Sequence, residues 1–321
     1  MKRDNANLHF HASLNEKVPN KAKLANLLVD ILQIEKEAIY RRLRNEVPFT
    51  FAEVARVSQQ LGISLDQIIG IESDKRKPFT LQVNDFEFPT EIDFVMWENY
   101  VNILDLLKSD PSLTLFETWN SLPYVFCYKY SYLTRFYIFK WVFQSKNHTP
   151  IKRFSQIQIP PRLKHLSEES MKKYALIPNS QYIFEERIFA NLINDLKFFI
   201  NIRLIEVEEL EMIQSELEQL IREMEDLATR GKHKETGNDI SLYISGVSID
   251  TNYSCLEANG YYISLVRTLI LNAAATTDKS SFDYIKQWFT SLKRISTLIS
   301  VSGEKQRISF FNKQREIIRS L

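Results

Sequence analysis

Glycine is scarce in this chain, with 7 residues in 321. A phosphate-cradling loop needs glycines close together so that backbone can approach its ligand, and a turn-dense all-β fold needs them at its hairpins. Both are disfavoured. Cysteine is scarcer still. Cys127 and Cys255 lie far apart, with no CxxC pair and no histidine at ligand spacing. Neither a disulfide framework nor a zinc site is indicated, and buried thiols in a reducing compartment are expected. An excess of one charge is also missing. The formal net charge is +1, which excludes a polycation that coats nucleic acid through its overall field. Nucleic-acid binding, where present, has to come from a local patch.

Catalytic signatures are absent as well. No HExxH, GxSxG, GxxxxGKS/T or GxGxxG occurs, and no acidic pair stands beside a recognisable nucleophile. No enzymatic activity, cofactor or metal is therefore expected. Ser302-Gly303-Glu304-Lys305 has the outline of a phosphate-binding turn, but a serine helix cap explains it. His9 and His11 are two apart, off a common helix face, and read as structural. The most apolar stretch, residues 122–143, has spanning length, yet Lys129, Arg135 and Lys140 recur through it, at high cost inside a bilayer. The basic start MKRDNANLHF is followed by no apolar run. No signal peptide or membrane span is read, and a cytoplasmic location is expected.

What is present is an ordinary globular composition, 44% hydrophobic and 25% charged, on a chain long enough for two or three units. It is organised around Leu27 to Gly70, where apolar residues recur at helical spacing. Leu28, Val29, Leu32 and Ile34 line one short helix, and Ala38, Ile39 and Leu43 the next. Glu35-Lys36-Glu37 puts carboxylates at the positive end of the second helix. Its outer face carries Lys36, Glu37, Tyr40, Arg41 and Arg44. A short helix held against a partner while showing cations and an aromatic outward suits reading of a major groove. Around it, a first helix over residues 8–18 ends at Pro19-Asn20, and Asn20 caps the helix from about Lys21 to Leu32. Thr50 and Glu53 form a capping box for Phe51 to Leu61, Gly62 closes that helix and Ser64 caps a last short one.

These residues resemble a helix-turn-helix of the phage-repressor (Cro-like) type. Leu28-Val29 stands where that family has Leu-Ala, Leu32-Gln33-Ile34 where it has Leu-Gly-Val, and Ile39 at its buried recognition-helix position. Pro48 and LGISLDQIIG at Leu61 to Gly70 match its proline and closing helix. The resemblance covers roughly residues 20–72. The chain departs from it with Gln33 in the turn and Asn45 near the usual glycine. It implies binding to double-stranded DNA, with Lys36, Glu37, Tyr40, Arg41 and Arg44 at base edges and Asn20, Lys21 and Lys23 on phosphate. Arg42 abuts the buried side. It also implies a homodimer, since palindromic operators favour two-fold symmetry.

Residues 73–90 read as a polar linker with a basic triplet, Lys75-Arg76-Lys77. Beyond it, helices are predicted over Glu91 to Ser109, Ser167 to Tyr174, within Tyr182 to Arg230, over Ser280 to Ser300 and over Glu304 to Leu321. The aromatic-rich stretch 113–154 suits helix or strand; its rings either wall a flat ligand or fill a core, and core is the plainer use. Leu210, Ile213, Leu217, Leu220, Met224 and Leu227 form a coiled-coil-like seam that packs within the domain or across a dimer. Strand character gathers at Ser241 to Ile249, Tyr253 to Ala258 and Tyr261 to Leu269, with Asn259-Gly260 as a hairpin turn and a helical turn after Val266 as an option.

The expectation is therefore a mainly α chain: an N-terminal four- to five-helix DNA-binding domain over residues 1–72, a linker over 73–90, and a larger mostly helical (α+β) domain over 91–321 with a small antiparallel sheet. The function expected is sequence-specific transcriptional regulation, the second domain supplying dimerisation or sensing of a small-molecule or protein effector. The alternative is a protein-interaction or scaffold protein that uses the helical motif without binding DNA.

Overall fold

The computed structural model describes residues 5–18, 20–61, 63, 65, 79–145, 152–268 and 270–321. The chain divides into two units, Met1–Pro78 and Phe79–Leu321.

The first unit contains four helices among the described residues: α1 (Asn5–Lys17), α2 (Lys21–Leu32), α3 (Lys36–Leu43) and α4 (Phe51–Leu61). Phe10 and Leu14 of α1, Leu24, Leu28 and Leu32 of α2, Ile39 of α3 and Val57 of α4 form one core, closed by Phe49. The i, i+4, i+8 spacing along α2 brings its three leucines onto a single stripe. The local stop and start signals act as their chemistry predicts. Asn20 Oδ1 accepts from the N–H groups of Ala22 and Lys23, both at 3.0 Å. Thr50 and Glu53 make the reciprocal capping box at 2.8 and 3.3 Å. Gln33 ends α2 at φ +57°, and Asn45 follows α3 at φ +59°, so both departures from glycine accept the left-handed region. The short closing helix expected after Ser64 lies largely outside the described residues, as does the Lys75-Arg76-Lys77 triplet.

The second unit corrects the expected fold class. Its sheet has eight strands, not a few: β1 (Thr80–Gln82), β2 (Thr114–Trp119), β3 (Asn179–Phe184), β4 (Asp239–Ile244), β5 (Tyr253–Ala258), β6 (Tyr261–Thr268), β7 (Asn272–Thr276) and β8 (Thr297–Leu298). They lie in the order β1-β7-β6-β5-β2-β3-β4-β8. The central strands β2, β3 and β4 are parallel, and every other pairing is antiparallel. With twelve α-helices and this mixed sheet among the described residues, the chain is α/β, not mainly α with a small antiparallel sheet.

The physical reasons are specific. The central strand β2, TLFETW, is buried along nearly its whole length, so it lacks the apolar–polar alternation that marks a half-exposed strand. β3 is absorbed into the start of the helical pattern expected from Tyr182. β7, NAAAT, is rich in the best helix former, yet pairing with β6 and β1 holds it extended. Asn259-Gly260 does connect β5 to β6, with Gly260 at φ +75°.

The helices of this unit are α5 (Glu91–Leu107), α6 (Tyr124–Cys127), α7 (Ser131–Ser145), α8 (Pro161–Ala175), α9 (Ala190–Asn201), α10 (Val207–Arg230), α11 (Lys279–Arg294) and α12 (Glu304–Arg319), with a 3-10 turn at Phe154–Gln156. The two-residue period of the strands sorts side chains to opposite faces. Leu115, Glu117 and Trp119 of β2 share a face with Tyr182 and Phe184, Leu256, and Ile263, Leu265 and Arg267. The helices other than α11 contribute buried side chains to the core on that side. The other face presents Phe116, Ile183 and Cys255 to Phe282, Ile285, Phe289 and Leu292 of α11. The seam on α10 is internal: Ile213, Leu217, Leu220 and Met224 are buried within this unit, where α10 packs against α12, α7 and β4.

Candidate nucleic-acid interface and ligand cavity

In the first unit, α3 turns Ile39 fully inward and leaves Lys36, Glu37, Arg41 and Arg44 exposed, with Tyr40 half-buried beside them. These five residues therefore occupy one surface. Its charges are largely paired. Arg44 donates from Nε to Glu46 at 2.6 Å and from Nη2 to Glu37 at 3.0 Å, and Arg41 Nε lies 3.7 Å from Glu46. The hydrogen bonds from Arg44 hold the exposed Glu46 carboxyl below the usual carboxylate range. Glu46, which the sequence reading passed over, is thus the acidic partner shared by two of the candidate cations.

Arg42 faces inward and has a structural use. Its guanidinium makes a two-pronged contact with Glu53, at 3.0 and 2.7 Å, and also donates to the Ala38 carbonyl. The pair ties α3 to α4 and fixes the direction in which the exposed face of α3 looks. Burial works to raise the Glu53 carboxyl, but Arg42 and the Thr50 N–H outweigh it, and its pKa is lowered. Lys21 and Lys23 project from the amino end of α2, both exposed. Asn20 stands with them, and its side-chain oxygen is committed to the cap. His11 is half-buried against the Phe49 ring, centroids 5.6 Å apart, and burial lowers its pKa.

The second unit holds a cavity of about 240 Å³. Its floor is the sheet, from Gln82, Glu117, Trp119, Ile263, Leu265, Arg267, Ala273 and Ala275. Its roof comes from α5 (Met96, Trp97, Tyr100, Ile103) and α8 (Leu163, Leu166, Tyr174), and its end wall from Tyr124, Tyr128 and Tyr137. Room for it follows from the small side chains of β7, since Ala273 and Ala275 point at the space that larger residues would fill. The roof is tied down by polar links. Arg162 of α8 grips Glu91 and Glu98 of α5, Lys173 bonds Asp105, and the Tyr100 and Tyr174 hydroxyls meet at 2.7 Å. Burial pushes the Tyr100 phenol up to about 12. Tyr124 donates to the carbonyl of Ile270 in the β6–β7 turn.

Two charged groups sit inside. Glu117 is 1% exposed and accepts from Trp119 Nε1 at 2.8 Å and from Ser254 Oγ on the adjacent strand. Burial raises its pKa against the pull of Arg267 and of the two donors. Arg267 is half-buried, with its Nε fully enclosed and lacking a hydrogen-bond partner. Burial opposes its charge, but the electrostatic pull of the groups around it, Tyr174 and Glu117 first, raises its pKa above the ordinary arginine value. Its guanidinium carbon lies over the Trp119 ring, 5.8 Å from the centroid. Asn84 is buried on the cavity wall, with its side-chain oxygen also unpartnered.

The aromatic stretch 113–154 contributes both to the cavity lining and to the core. Trp119, Tyr124, Tyr128 and Tyr137 line the cavity, while Phe136, Phe139 and Trp141 are core. Glu117 and Arg267 escaped the sequence reading. The available signal was a charge on an inward strand position, Glu117 between Leu115 and Trp119, and Arg267 after Ile263 and Leu265. Comparison with known proteins is silent: no family model, curated protein or solved structure matches the chain.

Proposed function

We propose that the chain is a transcriptional regulator that binds duplex DNA sequence-specifically through the first unit, acts as a homodimer in the cytoplasm, and uses the second unit for dimerisation or effector sensing. The observation that supports this reading most is the α3 surface. An eight-residue helix, anchored by buried Ile39 and by the Arg42–Glu53 clamp, turns Lys36 and Arg41 to solvent, with the capping residue Arg44 exposed and Tyr40 half-buried beside them. Lys21, Lys23 and the amino end of α2 supply donors suited to phosphate. No helix among the described residues is long and apolar enough to cross a membrane.

Arg41→Ala combined with Arg44→Ala removes specific binding and leaves the fold intact, because neither side chain contributes to the core. Each lost base contact weakens binding by roughly five- to 150-fold. Titration of the full chain against its selected operator at fixed salt checks this, and unchanged affinity counts against the assignment.

One observation favours a second reading, a protein-interaction module. Glu37 and Glu46 offset much of the cationic charge on the α3 face. A scaffold predicts no salt-dependent association with duplex DNA, whereas a regulator loses affinity steeply as salt rises, through counterion release.

A further inference from the structure

Arg267 is a half-buried cation whose enclosed Nε has no hydrogen-bond partner. Among the described residues no hydrogen bond or ion pair engages its guanidinium, and its Nε is sealed from solvent. Glu117, on the same face of the sheet, directs its carboxylate to Ser254 and Trp119 instead. A guanidinium left with its donors unfilled inside a protein is costly unless something fills them. The neighbours leave space for that something. Ala273, directly across from Arg267 on β7, has only a methyl group, and the cavity of about 240 Å³ opens beside it.

We propose that this cavity is a binding site for a small planar aromatic carboxylic acid, its carboxylate seated on the fork of Arg267 and its ring against the Trp97, Trp119 and Tyr100 walls. The planar two-donor fork of arginine matches a carboxylate, and apolar aromatic walls favour a flat ring over a hydrated anion. The volume falls just below the roughly 300–1,000 Å³ of sites for drug-sized ligands, which limits the occupant to one or two rings. Several polar side chains elsewhere on the wall are already committed. Ser167 and Ser170 donate to their own helix at 2.9 and 2.7 Å, and Thr134 donates to the Cys127 carbonyl at 3.0 Å.

This inference deepens the effector-sensing half of the proposed function and rests on that half alone. The test uses the full chain and no DNA. Benzoate, 4-hydroxybenzoate and indole-3-acetate, each paired with its neutral amide, are titrated while tryptophan fluorescence reports from Trp97 and Trp119, and isothermal calorimetry gives the stoichiometry. At least one acid is expected to bind one-to-one, roughly tenfold or more tighter than its amide. Arg267→Gln erases the preference for the acid, and Ala275→Leu, which fills the floor, weakens acid and amide together. The acid–amide comparison on the unaltered chain stands even where a variant misfolds. Absence of saturable binding by all three acids into the millimolar range overturns the proposal, as does equal binding of acids and amides. Tighter binding of phenylphosphate than of any acid overturns the carboxylate assignment. Because DNA is absent, a chain that binds duplex but no acid sinks this inference alone, and one that binds an acid but no duplex sinks the DNA-binding reading alone.

Discussion

Removing Glu53 tests the mechanical link between the core of the first unit and its outward face. Glu53→Ala breaks two interactions at once. The first is the bidentate pair with Arg42, in which both side chains are 15% exposed. Truncating one member of a fully buried pair costs about 3–5 kcal/mol, whereas exposed pairs contribute about 0–1 kcal/mol. A pair at the edge of a small unit, still screened by nearby water, falls near 2 kcal/mol on that scale. The second is the capping-box bond to the Thr50 N–H, 2.8 Å long, a contribution of about 0.5–1 kcal/mol. Together the loss is about 2–3 kcal/mol, set against a total of roughly 4–12 kcal/mol for a unit of this size. The assay is amide hydrogen exchange of the full chain followed by mass spectrometry. Peptides from α3 and α4 are expected to exchange about 30- to 150-fold faster, with those of the second unit unchanged. Glu53→Gln, which keeps a capping side chain but loses the charge, gives a smaller acceleration. The same pair sets a pH dependence. The Glu53 pKa is lowered from its ordinary 4.5, so its stabilisation is complete above about pH 4.5 and is lost as pH falls through the folded-state value. Exchange corrected for intrinsic rates therefore accelerates in that acidic window in the native chain and stays flat in Glu53→Gln. An acceleration of less than about twofold for Glu53→Ala refutes the clamp as the element that holds α3.

Other predictions follow from single features of the structure. Glu46→Gln frees Arg44 and Arg41 from their shared carboxylate and removes a charge that repels phosphate, so duplex affinity rises; a gel-shift titration showing weaker binding contradicts this account of the α3 face. Val301 holds a β-branched side chain at φ +59° while 69% exposed. Val301→Asn, better suited to the left-handed region, stabilises the second unit by about 1 kcal/mol, or roughly 2–4 °C in calorimetric Tm. An unchanged or lower Tm rules out strain at that turn.

Much of the first unit was legible from sequence because its determinants are neighbours. Asn20 reaches residues two and three positions on, Thr50 and Glu53 cap each other across one turn, and the leucines of α2 fall on one stripe by spacing alone. The starts of α2 and α4 follow from these contacts. The second unit was legible in its hairpin at Asn259-Gly260 and in most helices, and illegible in its sheet. β2 reads as an undivided aromatic run because both its faces are covered, and the alanines of β7 point toward helix until β6 and β1 are alongside. The α10 seam announced its periodicity but not its partner, which is α12 and α7 of the same unit.

The sequence by itself determined where the chain turns and which helix carries the outward cations. Those properties depend on residues within a few positions of one another and survive without knowledge of the fold. Tertiary structure alone decided that Arg42 serves as a clamp and that Glu46 shields the α3 arginines. It also decided that Glu117 and Arg267, distant along the chain, meet on one face of a sheet beneath α5 and α8. Strand order sets those meetings, and strand order is a property of many weak pairings competing at once, which no local stretch of sequence contains.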